Sequence, residues 1–375
     1  MPTAASCLRQ HAPALLQAFG NRVPLPMRIV LDAITRCRTG ALGRVLIECE
    51  RCQAKHLIGR SCGNRHCPNC QKHKTQSWLA KQSERLLPVH HFLVTFTVPE
   101  ELRSLLRGHR REGYTAIFDC GSDTIRDVAG AMRSLAGCQL GFFGVLHTWG
   151  RDPMVYHPHV HFVVPGGGVN ETEGCWQATA ENFFMHHGTP CRVYKEKFKT
   201  RLEELELLDQ VDPKVWRKKW NVDIKPVGNG QAVLKYLAPY VYRVAISDNR
   251  IVSCTEDSVT YRYTPSGTKR SKRRTVSGLD FTLGFLQHVL PRGFQKVRYY
   301  GWMSPNHRIR IEEVRWMVWL FLGWTFTLAM LARKESHSPP ASRCTDCGGP
   351  LSVIKITDRN HRVIYSRGPP LEKAS

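Results

Sequence analysis

Between residues 156 and 164 the side chains alternate in kind. His157, His159 and His161 take the odd positions, and Val160, Phe162 and Val164 take the even ones. Successive side chains of a strand point to opposite faces. The stretch therefore predicts a strand with one imidazole face and one face suited to a core. The same period marks residues 90–98, where Phe92, Val94, Phe96 and Val98 line one face. Residues 138–149 predict a further strand. A turn through Gly150, Asp152 and Pro153 joins it to the histidine stretch as a hairpin, with His147 near the cleft end. Pro165, Gly166, Gly167 and Gly168 end the histidine strand. No helix start with a lysine follows, so these glycines do not read as a phosphate loop.

Helical spacing opens the chain. Leu8, Leu15, Leu16 and Phe19 form one stripe, and Met27, Val30, Leu31 and Ile34 a second, with Pro24 and Pro26 between them. Further helices are predicted over residues 71–87, 100–136 with interruptions at Gly113 and Gly121, 193–208, 231–243, 281–290 and 311–333. Short strands are expected at 221–226 and 296–300, a hairpin at 250–263, and irregular chain at 170–192. Residues 316–332 carry no charge over 17 positions, which is the short limit for a membrane span. With Gly323, Thr325 and Thr327 inside it, a buried helix is the expectation and a C-terminal anchor the alternative. No basic segment leading into a long apolar run opens the chain, so no secretory leader is expected.

Cysteine spacing adds a metal. Cys49-x-x-Cys52 is followed after fourteen residues by Cys67-x-x-Cys70. Each knuckle offers two thiolates, and two knuckles complete a tetrahedral zinc site. Cys62 and His66 flank the second knuckle and Cys37 lies upstream, which leaves a second ion or alternative ligation open. Buried free thiols are the plainer alternative. Fourteen cysteines in such clusters argue for a reducing compartment rather than a secreted disulfide framework. A third knuckle, Cys344-x-x-Cys347, stands alone near the C-terminus, with His337 and His361 as its possible partners.

Charge narrows the partner. The 375 residues carry a formal net charge of +23, which favours a polyanion, nucleic acid first and an anionic membrane surface second. Lys269, Arg270, Lys272, Arg273 and Arg274 crowd one stretch. It reads as a loop able to neutralise several phosphates, or as a solvated flexible loop. Arg51, Lys55, Arg60 and Arg65 surround the zinc knuckles, as a DNA-contacting face or a solvated one.

Tyr236 and Tyr240 stand four residues apart on a predicted helix, which places them one above the other. A phenol is a competent nucleophile where a nearby metal polarises its target; an aromatic packing pair is the alternative. Pro239 lies between them and is expected to kink the helix. A strand histidine pair such as His159 and His161 is suited to a divalent ion facing a cleft, or to a structural role.

Taken together, several blocks resemble the IS91 family of HUH rolling-circle transposases, over nearly the whole chain and in the family's order. They are CRTGALG, CERC and SCGNRHCPNCQ, then FLVTFTVPEELR, LHTWG, HPHVHFVVPGGG, YLAPYVYRVAIS and FLQHVLPRGFQKVRYYGW. The resemblance implies that His159 and His161 hold catalytic Mg2+ or Mn2+ and that Tyr236 and Tyr240 are paired nucleophiles. It implies that Cys49, Cys52, Cys67 and Cys70, with Cys62 and His66 nearby, bind structural zinc. Pro239 departs from the helix-compatible residue expected there. The implied fold is α+β: an HUH-type antiparallel sheet with flanking helices, a small N-terminal zinc module and a mainly helical C-terminal region. Expected segments are 1–88 for the zinc module, 89–265 for the nuclease, 266–336 for the basic loop and helices, and 337–375 for the tail. The implied reaction is nicking and rejoining of single-stranded DNA, at element ends and target, in the bacterial cytoplasm with the nucleoid and without a membrane. Rival readings are a rolling-circle replication initiator, a non-catalytic zinc-containing DNA-binding protein, and a metal-dependent hydrolase that uses water.

Overall fold

The computed structural model describes residues 2–70, 72–242, 245–265, 267–268, 270–325, 327 and 343–367. The chain folds as two compact units. One combines Met1–Gln76, Tyr242–Val289 and His337–Ser375; the other combines Ser77–Val241 and Leu290–Ser336. Both units are discontinuous in sequence. Strand pairing over long chain separations leaves no local pattern to read.

The second unit is built on a five-stranded antiparallel sheet. Its order across the sheet is Val297–Gly301, Gly141–Trp149, Tyr156–Pro165, His91–Thr97 and Val222–Pro226. The histidine strand is the central one, and its alternation sets both faces. Val160, Phe162 and Val164 join Phe92, Val94, Phe96, Phe142 and Leu146 in the core. Helices Arg110–Gly130 and Gly188–Glu204 cover that face with Tyr114, Phe118, Tyr194 and Phe198. Phe162 is fully buried and meets Phe96 at 5.6 Å and Phe118 at 6.3 Å between ring centroids. The opposite face carries Phe143, edge-on to Trp78 of helix Lys72–Arg85 at 6.2 Å.

Two glycines placed as helix interruptions lie inside one continuous helix instead. The break falls at His109, between Arg103–Gly108 and Arg110–Gly130. A Cβ on Gly113 would lie 2.5 Å from Leu106 Cδ2, and one on Gly121 2.8 Å from Phe162 Cε2. Both glycines serve close packing rather than turning. Gly144 likewise faces the Phe162 ring, 2.7 Å from where its Cβ would stand. Residues 170–192, expected to be irregular, hold strand Cys175–Ala178 and the start of helix Gly188–Glu204.

The uncharged stretch differs from expectation in its described part. Helix Ile311–Leu322 buries Val314 and Val318, while Trp316, Leu320 and Phe321 are exposed, and Gly323 caps it at φ 55°. Only one i, i+4 pair turns inward, so the run of apolar residues does not make a buried helix. No helix of the described residues is long and apolar enough to cross a membrane.

In the first unit, helix Ala4–Phe19 follows a Thr3 capping box and packs near helix Gly278–Leu286; a Cβ on Gly278 would fall 2.0 Å from His11 Nδ1. Strand Arg44–Cys49 lies between Lys55–Gly59 and Leu351–Thr357, whose other neighbour is Val363–Ser366. The mixed α+β class of the sequence reading holds in both units.

The Phe162 ring joins Phe96, Phe142 and Tyr300 of three other strands to Phe118 of helix Arg110–Gly130. Phe162→Ala is expected to cost about 3–5 kcal/mol of stability, read from chemical denaturation. A loss below about 1 kcal/mol would show that the ring does not organise this core.

Candidate metal centre and tyrosine helix

Register brings the imidazoles together. His147 lies opposite His159 across the hairpin, and Thr95 opposite His161 on the other side. The nitrogens of His147, His159 and His161 lie within 4.8 Å of one another. The Nε2 atoms of His159 and His161 are 3.1 Å apart. All three rings are buried. His157 stands beside His159 at 5.1 Å between centroids and outside the cluster.

The hydrogen bonds aim the rings. His159 Nδ1 lies 2.8 Å from the His157 carbonyl oxygen. A carbonyl only accepts, so Nδ1 carries the proton and Nε2 presents its lone pair to the cluster. His161 Nδ1 lies 2.8 Å from Thr95 Oγ1, a hydroxyl that serves either tautomer. Burial lowers the pKa of all three rings. His159 is held at about 3, with the neighbouring His157 as the next cause. His147 and His161 lie well below the ordinary value, with the other imidazoles as the next cause. These are neutral, preoriented nitrogen donors, and such a set fits a divalent cation.

Helix Gln231–Tyr242 continues through Pro239. It buries Val233, Leu234, Leu237, Ala238 and Val241. Tyr236 is on the other side, 49% exposed, with its ring 6.4 Å from that of His161 and edge-on to it. Tyr236 is therefore not a core packing residue. Tyr240 follows one turn on in the same helix; its side chain lies outside the described residues.

The thiols sort differently from the sequence expectation. Cys67 and Cys70 gather with Cys37 and Cys62, while Cys49 and Cys52 gather with Cys344 and Cys347. The two knuckles expected to share one ion thus belong to separate clusters. Cys70 Sγ lies 3.5 Å from Cys37 Sγ and 3.6 Å from Cys62 Sγ. Four soft sulfur donors with no open position fit structural zinc. His66 is buried but belongs to neither thiol set.

The basic stretch is also different. Lys272, Arg273 and Arg274 lie on the edge strand Lys272–Ser277, paired with Ser258–Tyr263, not in a loop. They are exposed, as is Arg270. Lys269 lies outside the described residues. A strand with cations on both faces has no apolar alternation, so it reads locally as a loop. Thr95 was missed; its signal was that it and Thr97 are the two small polar residues in the apolar run Phe92–Val98, on the face opposite the core residues.

Comparison with known proteins gives the family. Residues 7–98 match the family model described as "Transposase zinc-binding domain", and residues 141–310 one described as "Putative transposase". The chain is 34% identical to "Putative transposase y4qJ" of Sinorhizobium fredii, over 82% of this chain and 81% of that one. It is 28% identical to "Transposase for insertion sequence element IS801" of Pseudomonas savastanoi pv. phaseolicola, over 74% and 70%. No solved structure matches the chain. The chain belongs to the IS91 family of insertion-sequence transposases.

The buried imidazoles make stability pH-dependent in the metal-free chain. Unfolded histidines protonate near pH 6.5, whereas folded His159 stays neutral down to about 3. Their contribution is therefore complete above about pH 6.5 and is lost as pH falls toward 3. Denaturation between pH 7 and 4 should show His159→Gln with a slope shallower by about one proton. An unchanged slope would contradict a buried neutral ring.

Proposed function

We propose that this transposase nicks and rejoins single-stranded DNA through a covalent 5′-phosphotyrosine, the chemistry of rolling-circle transposition. The sheet with its histidines on the central strand is then an HUH-type nuclease fold. The observation that carries the reading is the exposed phenol of Tyr236 standing edge-on to His161 beside three converging imidazoles. His147, His159 and His161 would hold Mg2+ or Mn2+, which supplies Lewis-acid polarisation of the scissile phosphodiester.

The chain's own groups do the rest. Tyr236 Oη attacks phosphorus, the bond from phosphorus to the 3′ oxygen breaks, and that oxygen leaves as a hydroxyl while the phenol gives up its proton. The 5′ phosphate stays on the tyrosine, so the phosphodiester energy is kept and rejoining needs no ATP. The reverse attack by a 3′-hydroxyl on the phosphotyrosine closes the strand. Tyr240, one helical turn on, would serve a second cleavage while the first end remains attached. The His157 carbonyl and Thr95 hold two of the rings so that their Nε2 atoms converge. Arg270, Lys272, Arg273 and Arg274 would neutralise strand phosphates, with Lys269 beside them in sequence. Acting on element ends and target places the protein with the nucleoid in the bacterial cytoplasm.

The test uses the purified chain, labelled single-stranded element ends, and Mn2+ or EDTA. A metal-dependent covalent adduct is expected on a denaturing gel, reduced at least tenfold by Tyr236→Phe. Cleavage without adduct would instead mean hydrolysis by water, and binding without cleavage would mean a DNA-binding protein alone. The basic strand has its own readout. Replacing Arg270, Lys272 and Arg273 together by Gln is expected to lower the salt slope of single-stranded DNA binding by about 2, at roughly 0.7 per phosphate. An unchanged slope would remove these residues from the DNA path.

A further inference from the structure

The second thiol cluster joins opposite ends of the sequence. Cys49 Sγ lies 3.4 Å from Cys347 Sγ, across 298 residues of chain, and Cys52 Sγ lies 3.7 Å from Cys344 Sγ. All four sulfurs fall within 4.8 Å of one another. Zinc–sulfur bonds of about 2.3 Å in a tetrahedron set sulfurs about 3.8 Å apart, close to this spacing and far from the roughly 2.05 Å of a disulfide.

The backbone on each side repeats the same turn. Cys49 N donates to Ala54 O at 3.0 Å and Gln53 N to Cys49 O at 2.9 Å. Cys344 N donates to Gly349 O at 2.8 Å and Gly348 N to Cys344 O at 2.9 Å. Gln53 and Gly348 take equivalent positive φ values of 57° and 72°. Amide groups also point at the sulfurs: Arg51 N lies 3.4 Å from Cys49 Sγ, and Gly349 N 3.4 Å from Cys347 Sγ. Amides donating to sulfur favour the thiolate that a metal needs. Gly349 lets the knuckles meet, because a Cβ there would lie 2.8 Å from Arg51 Cβ and 3.0 Å from Cys49 Sγ. Strand pairing extends the match, with Cys49 opposite Leu351 and Glu50 N donating to Pro350 O at 3.0 Å.

We propose that Cys49, Cys52, Cys344 and Cys347 form a second structural zinc site, made of one knuckle from each end of the chain. It is separate from the Cys37, Cys62, Cys67 and Cys70 site and lies only half within the matched zinc-binding domain. Binding takes up Zn2+, forms four zinc–sulfur bonds and releases the thiol protons to solvent. The C-terminal strand is held to the N-terminal hairpin by the ion, so the tail is part of the zinc module. His56 Nε2, 3.6 Å from Cys344 Sγ, supports that sulfur from outside the set.

Zinc content of the full-length chain tests this by elemental analysis. Wild type is expected to hold two equivalents, and Cys344→Ser with Cys347→Ser one. Cys175→Ser, outside both clusters, should hold two. A separate readout needs no variant: in the zinc-loaded chain Cys344 and Cys347 should resist iodoacetamide, and should label once a chelator strips the metal. Two equivalents retained in the double variant would overturn the proposal. So would labelling of Cys344 and Cys347 at the same rate with zinc and without it. Loss of one equivalent in His56→Ala alone would move the ligand set to His56, Cys344 and Asp346 and also overturn it. None of these measurements depends on DNA cleavage.

Discussion

The alternation of the central strand is the constraint on which the histidine-bearing unit rests. Val160, Phe162 and Val164 enter the core, and this alone forces His159 and His161 onto the opposite face. A slip of one residue would exchange the two sets, burying imidazoles among phenylalanines. Phe162 prevents the slip. Its ring occupies space that Gly121 and Gly144 leave open, and a smaller side chain would not fill it. Flanking strands then add their own groups in register, Thr95 beside His161 and His147 opposite His159. The core therefore sets the imidazole cluster from the opposite face of the sheet.

Burial has a cost that the site converts into chemistry. An unpaired buried polar ring loses water without compensation. Here the His157 carbonyl and the Thr95 hydroxyl restore one hydrogen bond to each of two rings. The same burial keeps the rings unprotonated at neutral pH, with His159 near 3. Neutral nitrogens that converge on one focus are the donor set that a divalent cation takes. The cluster therefore suits the cation role proposed for it.

Much of this was legible in sequence, because strands and helices carry their own periods. The histidine strand, its hairpin partner with His147, and the helix bearing Tyr236 and Tyr240 all follow from local spacing. What was not legible depends on distance along the chain or on shape. Spacing identified each C-x-x-C knuckle but could not say which knuckles share an ion. Gly113 and Gly121 look like helix breaks until Leu106 and Phe162 are seen against them. Lys272–Ser277 looks like a loop because an exposed edge strand needs no apolar face. The apolar residues after Ile311 suggest burial, yet Trp316 and Phe321 are exposed, since composition cannot tell which side of a helix meets a partner surface.

The four-stranded sheet of the first unit is held in the opposite way. Its strands are largely exposed or half-buried, so little apolar area stabilises it. Bringing chain ends together over 298 residues costs about 5 kcal/mol in loop entropy before any contact forms. Thin strands do not offset that by burial. A closed four-thiol site does, because its bonds are strong and directional and need no large core. The histidine-bearing sheet is thus held by aromatic packing around Phe162 and the four-stranded sheet by the proposed thiol site, each according to how much apolar surface its strands supply, while the helices of the first unit bury Leu8, Leu15, Phe281 and Phe285 in a core of their own.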